Sequence, residues 1–222
     1  MGGIHSKKSK FKLKMEKIFK SLNESANIKY DGYVVRNTLL EKGIKIFTIE
    51  EREKFMKYDE ETGQCINEFI NHQCCLHDDV RELYIDFLIA CHYGYKEMAE
   101  YLLQNYQINT FMVHETFVHC IYMENIDICD WLFSLKNVDY KQLYGFIHES
   151  YYDLFKKCCI YGELISAKWL YARGEINFSN ELMGVFLENI STNGHKYMLS
   201  WLIDEVKCTK NENLINKFRP VE

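Results

Sequence analysis

Between about residues 80 and 206 the chain places its apolar residues at helical intervals, in short runs broken by polar residues at a recurring distance. A stretch such as LYIDFLIACHYG (83–94) predicts one helix, and KEMAEYLLQNY (96–106) predicts a second directly behind it. The same arrangement returns three times. Aligned on Leu102, Leu132, Leu170 and Leu202, the residue before each leucine is Tyr101, Trp131, Trp169 or Trp201. Eight residues earlier stand Gly94, Glu124, Gly162 and Gly194; twelve earlier stand Ala90, Cys120, Cys158 and Ile190; three earlier stand Ala99, Cys129, Ala167 and Leu199. Seven residues later come Asn109, Asp139, Asn177 and Thr209. Columns that keep fixed offsets while their spacing varies from 30 to 38 to 32 residues mark an internal repeat of two-helix units.

The glycine column predicts where each first helix stops, because glycine accepts the positive φ of a helix reversal. Small residues in the Ala/Cys columns let paired helices approach closely. One hairpin cannot cover its own apolar face, so the units are expected to stack. The tryptophan column is then read as core between units. Asp79 with Glu82, and Thr48 with Glu51, read as capping boxes that open helices. Residues 23–79 are expected to be a helical cap, or an eroded unit marked by Leu39 and Gly43, and 207–222 a C-terminal cap or tail.

The pattern A-C-x-x-G-x-x-x-x-A-x-x-L, present as ACHYGYKEMAEYL (90–102) and CCIYGELISAKWL (158–170), resembles the ankyrin repeat. It is most similar to the divergent ankyrin-like repeats that large DNA viruses of amoebae encode in many copies. The resemblance covers about 80–206 and implies an all-α, ankyrin-like helix-turn-helix repeat solenoid of about four units that binds another protein, in a viral setting. The chain departs from the family in lacking the T-P-L-H opening, in having Glu124 for glycine, and in an insertion around KQLYGFIHES (141–150).

Charge changes the picture at the N-terminus. Residues 1–22 carry Lys7, Lys8, Lys10, Lys12, Lys14, Lys17 and Lys20 against Glu16 alone. Removing these from the chain's 27 basic and 32 acidic residues leaves 20 and 31, so a basic arm precedes an acidic body. MGGIHS fits the acceptor pattern for N-myristoylation, with Gly2 exposed once Met1 is removed and Ser6 at the required place. A single myristoyl chain binds a bilayer with a constant on the order of 10⁴ M⁻¹, and the lysines supply the second signal that residence needs. Phe11, Met15, Ile18, Phe19 and Leu22 share one side of a helix that could lie in the interface. A soluble adaptor with a solubilising tail is the alternative. Phosphorylation at Ser6 or Ser9 would subtract charge and release the arm. Nucleic acid is not expected as a partner, because the acidic body opposes phosphate.

The remaining chemistry is sparse. Nine cysteines without an export signal read as reduced thiols of a cytosolic protein, and no run of about 18 apolar residues is long enough to span a bilayer. Cys65, His72, Cys74, Cys75 and His77 form the one zinc candidate, but they lack the paired C-x-x-C knuckle. Cys91, Cys120, Cys129, Cys158 and Cys159 lie on or beside the repeat columns and read as small apolar fillers. His92, His114 and His148 read as surface or capping residues. His119 beside Cys120 lacks the acid and oxyanion donor a nucleophile needs, and no phosphate-binding glycine motif occurs. The chain is therefore expected to be no enzyme, to need no cofactor or small-molecule substrate, and to lie on the cytosolic face of a membrane.

Overall fold

The computed structural model describes residues 30–62, 78–106, 108, 110–135, 151–173, 176, 178 and 183–219. Among these residues the protein is all-helical, with no strand. Its helices are α1 (Gly32–Glu41), α2 (Ile49–Thr62), α3 (Asp78–His92), α4 (Lys96–Asn105), α5 (Thr110–Tyr122), α6 (Ile126–Phe133), α7 (Tyr151–Tyr161), α8 (Leu164–Arg173), α9 (Met183–Thr192), α10 (Lys196–Ser200) and α11 (Glu212–Phe218). A π-helical turn, Trp201–Glu205, extends α10. The chain divides into two compact units, Met1–His119 and Cys120–Glu222.

Four pairs, α3/α4, α5/α6, α7/α8 and α9/α10, follow one construction. The first helix ends in a left-handed residue: Gly94 (φ 75°), Glu124 (φ 53°), Gly162 (φ 84°) or Gly194 (φ 79°). The amide of the joint residue bonds back three residues, and the next amide bonds back five, to the carbonyls of Ala90, Cys120, Cys158 and Ile190. This pair of hydrogen bonds satisfies carbonyls that a helix end would otherwise strand. The sequence columns thus fall on the joint and on the carbonyl that closes it. Ala99, Cys129, Ala167 and Leu199 are buried on the second helices, as are the four aligned leucines.

Glu124 keeps the left-handed conformation without being glycine, at a cost of roughly 1 kcal/mol. Its carboxylate accepts a hydrogen bond from the Ile165 amide at 3.0 Å, near the start of α8, and so caps the second helix of the following pair. Gly162 is constrained by space as well as by φ. A Cβ there would lie 2.4 Å from Nδ1 of His195, the first residue after the next joint.

In the first unit, residues 83–91 of α3 are all buried, so this helix is covered on every side. Helices α1 and α4 pack against it. Helix α1 ends as the four pairs do, with Gly43 at φ 71° and the Ile44 amide bonded to the Leu39 carbonyl, but α2 starts only at Ile49. The same kind of joint thus follows α1, while the next helix is delayed. Thr48 and Glu51 form the expected reciprocal box, at 2.7 and 3.1 Å. Asp79 does not cap α3: the helix already includes Asp78, and Glu82 turns its carboxylate to Arg52 of α2.

In the second unit α7 packs on α9 and α6 on α8, first helix against first and second against second. Trp169 meets Phe133 edge-on at 5.5 Å and donates from Nε1 to Asp130 at 2.8 Å. Trp201 meets Tyr171 edge-on at 5.8 Å, with the Lys168 ammonium over its ring. In both cases the indole rests on residues one before and two after the preceding tryptophan. Trp131 is half-buried, whereas Trp169 and Trp201 are buried. Helix α11 packs on α9, capped by Asn211 and anchored by buried Phe218.

The two glycines with different surroundings separate strain from crowding. Gly43→Ala, which meets open space, is expected to cost about 1 kcal/mol for the positive φ alone. Gly162→Ala is expected to cost about 3 kcal/mol, because His195 must also move. Urea denaturation of the two variants checks the order, which equal losses would contradict.

Candidate functional site

The arm, with Gly2 and its seven lysines, lies outside the described residues, as do Cys65, His72, Cys74, Cys75, His77 and His148. Among the described residues no group of three or more His, Cys, Asp or Glu could hold a metal ion. Cys91, Cys120, Cys129, Cys158, Cys159 and Cys208 are buried. Burial pushes the Cys129 and Cys159 thiols well above the ordinary thiol range, and Cys208 to about 11. Such thiols stay protonated and make poor nucleophiles.

Two polar clusters lie inside the first unit. Asp86 sits fully buried within the apolar run of α3. Tyr30 donates its hydroxyl to Asp86 Oδ2 at 2.6 Å, and Arg36 of α1 and Arg52 of α2 approach the carboxylate at 3.7 and 3.4 Å. Gly32 leaves room for it, since a Cβ there would stand 3.0 Å from Asp86 Oδ2. Burial and the neighbouring Asp86 charge push the Tyr30 phenol far up, so it remains a donor. One carboxylate thereby ties the segment before α1, α1 itself and α2 to the central helix.

The second cluster corrects the expectation that His92 and His114 are surface or capping residues. His114 is buried within α5, 3.6 Å from Glu115. His119 is buried as well, and its Nε2 lies 3.0 Å from Nδ1 of half-buried His92 at the end of α3. Burial lowers the His92 value, while burial and then His92 itself lower that of His119 to about 3. Phe55 of α2 covers both rings edge-on, at 4.8 and 5.7 Å.

Of the exposed large apolar side chains in the second unit, Tyr161, Ile165 and Tyr197 lie near the joints, whereas Phe133, Tyr171 and Val185 lie away from them. Three residues after each joint the column reads Asp127, Ile165 and Tyr197, all solvent-exposed, and Tyr161 precedes Gly162. Ile165 is 56% exposed, Tyr161 60% and Tyr197 84%. The joints of α7/α8 and α9/α10 are neighbours, because Asn193 donates to the Ile160 carbonyl and His195 stands over Gly162. Glu163 lies beside them, its carboxyl pushed up by burial and then by Glu124. Such a strip offers aromatic and aliphatic contact area with an acidic margin.

No family model, curated protein or solved structure matches the chain. No helix among the described residues is long and apolar enough to cross a membrane.

The Asp86 cluster makes the first unit sensitive to one residue. Asp86→Ala is expected to lower stability by about 3 kcal/mol, because Arg36, Arg52 and the Tyr30 hydroxyl lose their shared acceptor. Urea titration with a probe in the first unit reads the loss, and a change under 1 kcal/mol contradicts the assignment.

Proposed function

We propose that the chain is a non-enzymatic, ankyrin-like repeat solenoid that binds another protein and is held at the cytosolic face of a membrane by an acylated basic arm. The observation that carries the solenoid is the shared placement of Trp169 and Trp201, each on the residues one before and two after the tryptophan of the preceding pair. Equivalent packing at equivalent positions is what stacking of like units requires. The exposed strip of Tyr161, Ile165 and Tyr197 is the surface best suited to a partner, since tyrosine offers rigid contact area at low entropic cost. Raised thiol values and joints made of backbone bonds favour display over catalysis.

The tether rests on MGGIHS and the lysines behind it. The resemblance to ankyrin-like repeats of large DNA viruses agrees with a protein that works on a host membrane through a host or viral partner.

Made in a eukaryotic cell, the protein is expected to gain the mass of a myristoyl group on Gly2, and Gly2→Ala to lose it together with flotation on anionic vesicles. Lys7→Gln with Lys8→Gln is expected to weaken vesicle binding by about 2 kcal/mol, a factor of roughly 30. An unmodified Gly2 with unchanged flotation removes the tether and leaves a soluble adaptor.

A further inference from the structure

Helix α2 is fastened to α3 and to the residues just after it by polar bonds of Arg52 and Glu51, and it meets His92 of α3 and His119 of α5 through Phe55. Arg52 reaches Glu82 and Asp86 of α3. The Glu51 carbonyl accepts from the Tyr93 hydroxyl at 3.1 Å, and its carboxylate accepts from the Tyr95 hydroxyl at 2.8 Å. Phe55, 2% exposed, seals the His92 and His119 pair. At 3.0 Å one ring nitrogen must donate and the other accept, so the arrangement requires that at least one imidazole be neutral. Protonating both would set two N–H groups and two positive charges against each other beneath an aromatic ring. His119, 7% exposed, is largely shielded from water that would screen it while Phe55 is seated.

Among the described side chains, the other titratable groups around the pair are engaged elsewhere or exposed. On α2, Glu51 is engaged by Thr48 and Tyr95, while Glu53, Lys54 and Lys57 are exposed. At the end of α3, Tyr93 stands edge-on to His92 at 4.6 Å with its hydroxyl turned to Glu51. One turn back on α5, Glu115 lies beside His114.

We propose that α2 is an acid-released strap, in which protonation of the His92 and His119 pair expels Phe55 and frees α2 from the ends of α3 and α5. The sign follows from linkage. The open form takes up protons below the ordinary imidazole value of 6.5, whereas the closed form resists until well below it, so closure weakens as pH falls through that window. Glu51, held low chiefly by the Thr48 amide, keeps its charge at pH 5, so the histidines act first. For one fully buried imidazole the open fraction rises on the order of thirtyfold between pH 7 and pH 5. Release of α2 bares the apolar ends of α3 and α5, giving the first unit a surface that depends on pH.

Hydrogen exchange on the full chain at pH 7 and pH 5, corrected for the intrinsic rate, tests the strap. Amides of residues 49–57 are expected to lose protection roughly thirtyfold at pH 5 while those of 164–173 hold theirs. With His92→Gln and His119→Gln together, the pH dependence disappears. Phe55→Ala raises exchange at both pH values and reduces their ratio, since the pair is then already wet. Unchanged protection at 49–57, or a loss that persists in the double variant, overturns the proposal. If that variant fails to fold, the imidazole proton resonances of the unaltered protein decide: both rings titrating near 6.5 within the folded spectrum overturns it equally.

Discussion

Everything in the fold depends on how the first helix of each pair ends. A helix that stops must satisfy its last carbonyls and turn the chain back within two residues, and a left-handed residue does both at once. Four pairs use it, and α1 uses it too. The joint fixes where the second helix starts, which in turn fixes which of its faces meets the first. Small or buried residues at the closing carbonyl and on the facing helix then allow close approach. Where glycine is absent, at Glu124, the strain is offset by a carboxylate that caps the next pair. The exception is thus tied to stacking rather than being a defect.

Stacking supplies what a single pair lacks. Two short helices bury little surface alone, and isolated helices of about ten residues are marginal in water. In the second unit, indoles of successive pairs rest on the aromatic and charged residues of the pair before. In the first unit the covering is done by less regular means. Helix α3 is buried along residues 83–91, and α1 and α2 are drawn over it by its buried aspartate and two arginines. Polar fastening of this kind is specific but conditional, since it depends on the charge of its members. The same region holds the imidazole pair, so both conditional elements converge on α2.

Much of this was legible in the sequence because it is periodic. The joint residues, the small columns, the buried thiols and the Thr48 box all follow from local geometry that repeats or caps. The Asp79 box was misread because Glu82 had a tertiary partner, and tertiary charge outweighs a local cap. The histidine pair could not be read at all: His92 and His119 are 27 residues apart and meet only when α3 and α5 lie side by side. Asp86 left a trace, as a lone acid in the apolar run LYIDFLIAC (83–91), but its partners Arg36 and Arg52 come from elements whose packing has no repeat to announce it. Trp131 shows the limit of column reasoning, since a shared position did not give it the burial of the other two indoles.

In the second unit, successive pairs rest on one another at equivalent positions. A double-mutant cycle on Trp201 and Tyr171, set beside one on Trp169 and Phe133, measures this coupling directly. Coupling of about 1 kcal/mol is expected in each cycle. Additive losses in both, with no coupling, would show that the pairs do not support one another through this column.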